Sequence, residues 1–284
     1  MDELCNIQSA GLALGGGGAR GWAHIGVLHA LAENNIRITH IAGTSIGAFV
    51  GAFLAANKLD FLLTNVLDFD WKHGLGYFAS IPSKTGMLNG RKISSFLEDH
   101  LGVTTLEETS IPFCTVTTDL RTGKEIALKR GSITEAVRAS IGVPGIFTPV
   151  SKNNLLLVDG GLVNPVPVST VREMGAEQVI AVDLNMVPAD PGIPLLIEGE
   201  QPNVLEILGA SANIIEAGLT VSRLAQDPPD LLIRPDLTQI SYLDFSKGEE
   251  CIRLGYEAAI HALSPGNQLI DTDTDTDTDT DTGR

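Results

Sequence analysis

The sequence predicts one large α/β domain: a largely parallel sheet with helices on both faces. Three observations lead there. The chain has 284 residues, 43% hydrophobic and 19% charged, with no Pro/Ser/Gly-rich linker to divide it, so it can bury a single sizeable core. Apolar runs that read as buried strands alternate with stretches of helical periodicity, the pattern of a sheet covered on both sides. Three glycine-bearing motifs fall at the ends of such runs, and α/β sheets bind ligands at the carboxyl ends of their strands.

In chain order, Gly11–Leu14 is an apolar strand that runs into a glycine cluster, and Ala19–Asn34 reads as a helix. Arg37–Gly43 is a strand, and Ile46–Asn57 and Leu59–Phe69 are helices. Trp71–Asn89 holds Gly, Ser and Pro and reads as a long loop. With Phe61, Phe69, Trp71, Tyr77, Phe78 and Ile81 in or near it, this region suits an acyl channel or a lid touching a membrane, or plain packing against the sheet. Arg91–Leu101 is helical. Pro112–Asp119 and Glu125–Leu128 are strands around the turn Arg121–Lys124. Ser132–Ser140 is helical, Leu155–Val158 a strand, Pro167–Met174 a helix and Gln178–Leu184 a strand. Residues 187–202 carry four prolines and read as irregular. A long helix Asn203–Ala225, a strand Leu231–Ile233 and a closing helix Lys247–Leu263 complete the domain. The alternating Asp-Thr tail from Asp271 to Thr282 cannot supply a core and reads as disordered.

Composition excludes several classes. The net charge is −16, part of it from the tail, and such a chain repels nucleic-acid phosphates. Cys5, Cys114 and Cys251 are odd in number and show no zinc or disulfide spacing, which fits a reducing cytoplasmic compartment and no metal. The start MDELCNIQSA lacks the features of a signal peptide, and no apolar run reaches the roughly 18 residues of a membrane span. Any membrane contact is then expected to be peripheral, at the inner face.

The first motif, Gly15-Gly16-Gly17-Gly18-Ala19-Arg20-Gly21, lies between strand and helix. It contains GxGxxG, a weak dinucleotide signal. The ribose-binding acid expected at the end of the next strand is missing, because that strand ends His40-Ile41-Ala42-Gly43-Thr44-Ser45. No Gly-Lys-Ser/Thr follows, so the P-loop reading fails as well. What remains is a nest of backbone N–H groups beside a helix start, fit for a phosphate or an oxyanion, or else a tight turn that needs glycine for shape. The second motif, Gly43-Thr44-Ser45-Ile46-Gly47, has the strand, helix and small residues that a nucleophile elbow requires, whereas a simple N-cap serine needs no flanking glycines. The third, Asp159-Gly160-Gly161, is on its own an ordinary Asp-Gly turn. Beside the other two it suits a general base at a strand end.

A Ser-His-Asp triad would need a histidine. Of His24, His29, His40, His73, His100 and His261, only His261 follows Asp159, and it lies on the amphipathic closing helix. The inference is a two-residue unit in which Asp159 takes the Ser45 proton directly. An aspartate of ordinary pKa, about 3.9, is a weak base toward an alcohol, so burial and an oxyanion nest must help.

The segments GGGGARGWAHIGVL, IAGTSIGAFVGA and LLLVDGGLVNPVPV, in this order, resemble the patatin-like phospholipases, and within them the bacterial branch related to neuropathy target esterase. TDLRTGKEIAL and AVRASIGVPGIFTPV fit the same pattern. The resemblance implies a three-layer α/β/α sandwich over residues 10–265, with core motifs in 11–183, a short extension at 1–9 and a disordered tail at 266–284. It implies a hydrolase acting on phospholipid, lysophospholipid or other acyl esters, without a cofactor. Ser45 would be the nucleophile and Asp159 the base. Gly16, Gly17, Gly18, Ala19 and Arg20 would form the oxyanion loop, and Gly21, Gly43, Gly47, Gly160 and Gly161 the remaining motif positions. Arg20 would either steer a phosphate head group or brace the loop. Trp22 stands where the family often has a small residue, which narrows the expected pocket mouth. Two readings from other classes stay open: a dinucleotide-binding oxidoreductase, and a catalytically idle module that binds a lipid or a partner. An acyltransferase is a nearer variant.

Overall fold

A computed structural model describes residues 7–68, 88–185 and 204–264. The Asp-Thr tail, the whole 187–202 segment, and most of the 1–9 extension and of the Trp71–Asn89 loop lie outside the described residues.

The sheet contains β1 (Ser9–Leu14), β2 (Arg37–Thr44), β3 (Phe113–Asp119), β4 (Lys124–Leu128), β5 (Val150–Lys152), β6 (Leu155–Asp159), β7 (Val179–Val182) and β8 (Leu231–Ile233). The order is β5-β6-β3-β2-β1-β7-β8, with β4 also paired to β3. The five strands β3-β2-β1-β7-β8 are parallel, and β4, β5 and β6 add antiparallel pairs. The sheet is mixed and mostly parallel. Strand β5 went unread in the sequence because three residues, Val-Ser-Lys, carry no periodicity.

The helices are α1 (Ala23–Glu33), α2 (Ile46–Ala55), α3 (Leu59–Asp68), α4 (Arg91–His100), α5 (Ile133–Ser140), α6 (Val168–Glu173), α7 (Val204–Gln226) and α8 (Gly248–Leu263). The stretch expected as one helix from Ala19 begins instead as a 3-10 turn over Gly18–Trp22, and α1 starts at Ala23. Alternate strand residues feed two cores. Leu12, Leu14, Ile41, Phe113, Ile180 and Val182 join the helices of one face, α1, α2 and α8 among them. Ala13, Ala42, Cys114, Val179 and Ala181 meet Val168 and Val171 of α6 and Leu224 of α7 on the other. Strand alternation thus buries both faces, which explains the near-continuous apolar runs.

The register places two distant residues together. β4 occupies one edge of β3 over 115–119, so β2 and β6 must share the other edge. β2 pairs as far as Thr44 opposite Val116, and β6 takes over with Asp159 opposite Thr117. Ser45 follows Thr44, so the elbow and Asp159 emerge from adjacent positions along one strand.

Candidate active site

Ser45 sits at the N-cap position of α2, yet its side chain makes no cap hydrogen bond. Its backbone is at φ 56, ψ −125, far from the β-region of an ordinary N-cap serine. This turn aims Oγ away from the helix, and Oγ–H donates to Asp159 Oδ2 at 2.7 Å. The turn is held from three sides. Ser45 N–H donates to Ser140 Oγ at 3.0 Å, and Ser140 Oγ–H donates to the Val116 carbonyl at 2.6 Å. The Thr44 hydroxyl donates to the Asn164 carbonyl at 2.8 Å. Gly47 lets α2 lie directly on β1: a Cβ there would overlap the Leu14 and Gly15 carbonyls.

Asp159 is fixed just as firmly. Its Oδ1 accepts from Gly161 N–H at 2.8 Å, and its carbonyl accepts from the Thr118 hydroxyl at 2.7 Å. Its own N–H donates to the Gly142 carbonyl at 3.0 Å. Burial pushes its carboxyl up to about 7, against the opposing pull of the Gly161 N–H and the Ser45 hydroxyl. A buried aspartate so raised is far better matched to accept a proton near neutral pH than an exposed one.

The glycine loop crosses beside Ser45. Of the five residues expected on it, three have their amide engaged: Gly16 N–H donates to Pro165 O, Ala19 N–H to Tyr242 O, and Arg20 N–H to Gly17 O. The N–H groups of Gly17 and Gly18 make no protein hydrogen bond among the described residues. Gly18 needs glycine for its φ of 57, and a Cβ there would strike Tyr242. The donor set expected from sequence therefore narrows to Gly17 and Gly18. Arg20 does not face solvent. It is 4% exposed, with Nε donating to Ile240 O at 2.8 Å and one terminal nitrogen to Asn213 Oδ1 at 3.0 Å. Of its two expected roles, bracing the loop is the one this placement supports.

No histidine bond to Ser45 or Asp159 occurs among the described residues. His24 is wholly buried behind the loop, where Nε2 meets the Gly15 carbonyl at 2.8 Å, and burial pushes its pKa down to about 4. Neutral, it holds the loop in place by donating from Nε2. Among the described residues no group of His, Cys, Asp and Glu is arranged to hold a metal.

Ser45 and Gly18 open onto a cleft with an almost wholly apolar lining. Trp22, Ile46, Phe49, Ile93, Ile146 and Phe147 are among the residues that form it. Trp22 is 1% exposed and packs edge-on against Phe49 and Phe245, so it builds the wall rather than obstructing the mouth.

Residues 12–172, more than half of the chain, match the model of the patatin-like phospholipases. The chain belongs to that family. It is 39% identical over 193 residues to an uncharacterised neuropathy-target-esterase-family protein, Rv1063c, of Mycobacterium tuberculosis, covering 68% of this chain and 52% of the relative. It is 30% identical over 280 residues to the mouse patatin-like phospholipase domain-containing protein 7, covering 90% of this chain and 21% of the relative. With the neuropathy target esterase sws of Drosophila melanogaster it shares 35% identity over 184 residues, 62% of this chain and 13% of that protein. The chain thus spans about half the length of its mycobacterial relatives and far less of the animal ones.

The patatin-like match contains Ser45, Asp159 and the glycine loop but ends before α7. Four side chains around the site were not singled out from the sequence: Ser140, Asn164, Glu216 and Tyr242. Ser140 and Asn164 sit inside unremarkable small-residue and Asn-Pro stretches. Glu216 did leave a trace: it is the one ionisable residue between Glu206 and Arg223 of a long helix.

Proposed function

We propose that this chain is a serine acyl-ester hydrolase of the lysophospholipase or phospholipase A type. The observation that carries the reading is the 2.7 Å hydrogen bond from Ser45 Oγ to the buried Asp159 carboxylate, at the floor of an apolar cleft. In the mechanism, Ser45 Oγ attacks the acyl carbonyl carbon while Asp159 accepts its proton. The oxyanion lies on the N–H groups of Gly17 and Gly18, with Ile46 N–H beside the elbow as a further donor. As the tetrahedral intermediate collapses, the C–O bond to the leaving alcohol breaks and Asp159 returns the proton to that oxygen. Water then attacks the acyl-enzyme, Asp159 accepts its proton and passes it to Ser45, and the fatty acid is released. No cofactor enters any step. The buried, unpaired thiols Cys114 and Cys251 suit a reducing compartment, and the enzyme would meet lipid from the cytoplasmic side. No described helix is long and apolar enough to cross a membrane.

The test is labelling with a fluorophosphonate serine probe, beside fatty-acid release from lysophosphatidylcholine. Wild type is expected to label and to release fatty acid, and Ser45→Ala to do neither. A folded wild type that refuses the probe would hand the site to the binding-module reading.

The cleft also predicts selectivity. Ile146 is 4% exposed and faces the cleft, so Ile146→Phe should shorten the acyl chain that fits. We expect kcat/KM for long-chain esters to fall by about 10–200-fold relative to short-chain ones, the range for a small volume change in an apolar pocket. Equal losses on butyrate and palmitate esters would mean that the acyl chain lies elsewhere.

A further inference from the structure

Helix α7 passes over the site with its one mid-helix acid turned inward: Glu216 is 3% exposed. Its Oε1 accepts from the Tyr242 hydroxyl at 3.1 Å, and Oε2 makes no hydrogen bond with a described residue. A buried carboxylate with so few donors is costly. The carboxyl is wedged between the two halves of the site. A Cβ at Gly161, the residue whose N–H holds Asp159, would collide with Oε1. A Cβ at Gly16 would lie 3.3 Å from Oε2 and 3.5 Å from Ser45 Cβ. Two motif glycines therefore leave the room that Glu216 fills.

The groups that act on its charge are Asp159 at the end of β6, Tyr242, Asn185 after β7, and Arg20 in the glycine loop. Asn185 makes no hydrogen bond with it of good geometry, and Arg20 bonds to Asn213 and Ile240 rather than to Glu216. Asp159 has two donors aimed at its ionised form, the Gly161 N–H and the Ser45 hydroxyl, while Glu216 has one. Two buried carboxyls this close do not both ionise readily, so the first proton to leave comes from Asp159.

We propose that Glu216 is a positioning residue for the Ser45 reaction, working as a neutral carboxylic acid whose proton must stay on for the site to function. This rests on the esterase reading. With its proton, Glu216 leaves Asp159 as the sole buried negative charge. Without it, a second negative charge stands beside Asp159 and against the loop where the oxyanion forms, which opposes a transition state that is itself gaining negative charge. Burial first, and then the Asp159 charge, hold the Glu216 pKa up at about 8, so the loss belongs on the alkaline side.

The experiment is a pH profile, from acid to about pH 10, of fluorophosphonate labelling and short-chain ester hydrolysis. Wild type is expected to gain rate as Asp159 ionises and to lose at least tenfold on the alkaline side. Glu216→Gln, whatever its maximal rate, should lose the alkaline fall and keep the acid limb. Tyr242→Phe removes a hydrogen bond that favours ionised Glu216, and should move the fall to higher pH. An alkaline limb unchanged in Glu216→Gln overturns the proposal, as does a uniform loss of rate that moves neither limb. If Glu216→Gln does not fold, infrared spectra of wild type carrying carboxyl-13C glutamate decide, because the isotope shift separates Glu216 from Asp159: a protonated-glutamate band present at pH 7 and lost at alkaline pH supports the proposal, and its absence at pH 7 overturns it. A folded wild type inactive at every pH overturns the esterase reading, and the isotope-shifted glutamate band still decides whether Glu216 carries its proton.

Discussion

Replacing Asp159 by asparagine is expected to cut fatty-acid release by about 10²–10⁴-fold, the usual contribution of a general base, and at the same time to raise the melting temperature. The amide is nearly isosteric and keeps an oxygen for the Gly161 N–H, so the turn survives. What disappears is the carboxylate that we propose accepts the Ser45 proton. The stability gain follows from proton linkage. Burial raises the Asp159 pKa from an ordinary 3.8 to about 7, so between those values the folded state binds more protons than the unfolded state. The stability this group contributes is fully present below its unfolded pKa and declines as pH rises toward the folded one. The melting-temperature advantage of Asp159→Asn should therefore grow from about pH 4 to about pH 7 and then level off. Activity should run the other way: with the carboxylate as the proposed working form, wild-type rate is expected to fall as pH drops through the folded pKa. Paired thermal melts and fatty-acid assays check both trends. A variant with near-wild-type rate, or one destabilised across the whole pH range, would remove Asp159 from the role of base.

The second large effect is structural. Gly47→Ala should destabilise the fold by about 3 kcal/mol, or about 6–12 °C in Tm, and abolish labelling of Ser45. The new Cβ would meet only backbone: the Leu14 and Gly15 carbonyls, the latter at 2.6 Å. Strand β1 cannot swing aside like a side chain, because it is paired on both edges with β2 and β7. Helix α2 must then lift off the sheet and carry the elbow with it. Gly51→Ala, one turn further along α2, is the control. Its Cβ would touch only the side chains of Phe113, Ile41 and Leu14, at 3.0 to 3.4 Å, which can adjust, and alanine favours helix. Gly51→Ala should stay within about 1 kcal/mol of wild type. Equal losses at the two positions would mean that the close approach at the elbow is not what Gly47 serves.

Most of the architecture was legible in the sequence because the signals that carry it are short. Alternation of apolar runs and helical periods located seven of the eight strands and all eight α-helices of the described residues, but not the short 3-10 turns such as Leu106–Glu108. The missed strand, β5, is only three residues long, Val-Ser-Lys. The elbow was legible for the same reason. A strand, a serine between two glycines and a helix lie within a dozen residues, although the close approach that requires Gly47 is made to Leu14 and Gly15 at the end of β1.

The finer site was legible only in part. Five residues were expected on the oxyanion loop, but whether an amide is free depends on which carbonyl sits opposite it. Tyr242 O, which occupies the Ala19 N–H, lies far along the chain. Arg20 read equally well as a head-group ligand or as a brace. Its partners, Ile240 and Asn213, come from elements whose docking no local pattern encodes.

The sequence by itself determined the fold class and marked the serine turn, the glycine loop and the Asp-Gly-Gly turn, because each is written in residues that lie next to one another in the chain. Only the tertiary structure decided how they combine. Strand β3 offers one edge to β2 and then to β6, which brings Ser45 and Asp159 within 2.7 Å across a separation of 114 residues. Packing of α7 over that junction adds Glu216, whose position and burial arise from contacts with Gly16, Gly161 and Tyr242. Charge and desolvation act through space, so the chemistry of the buried carboxyls is set by residues that the chain order keeps far apart.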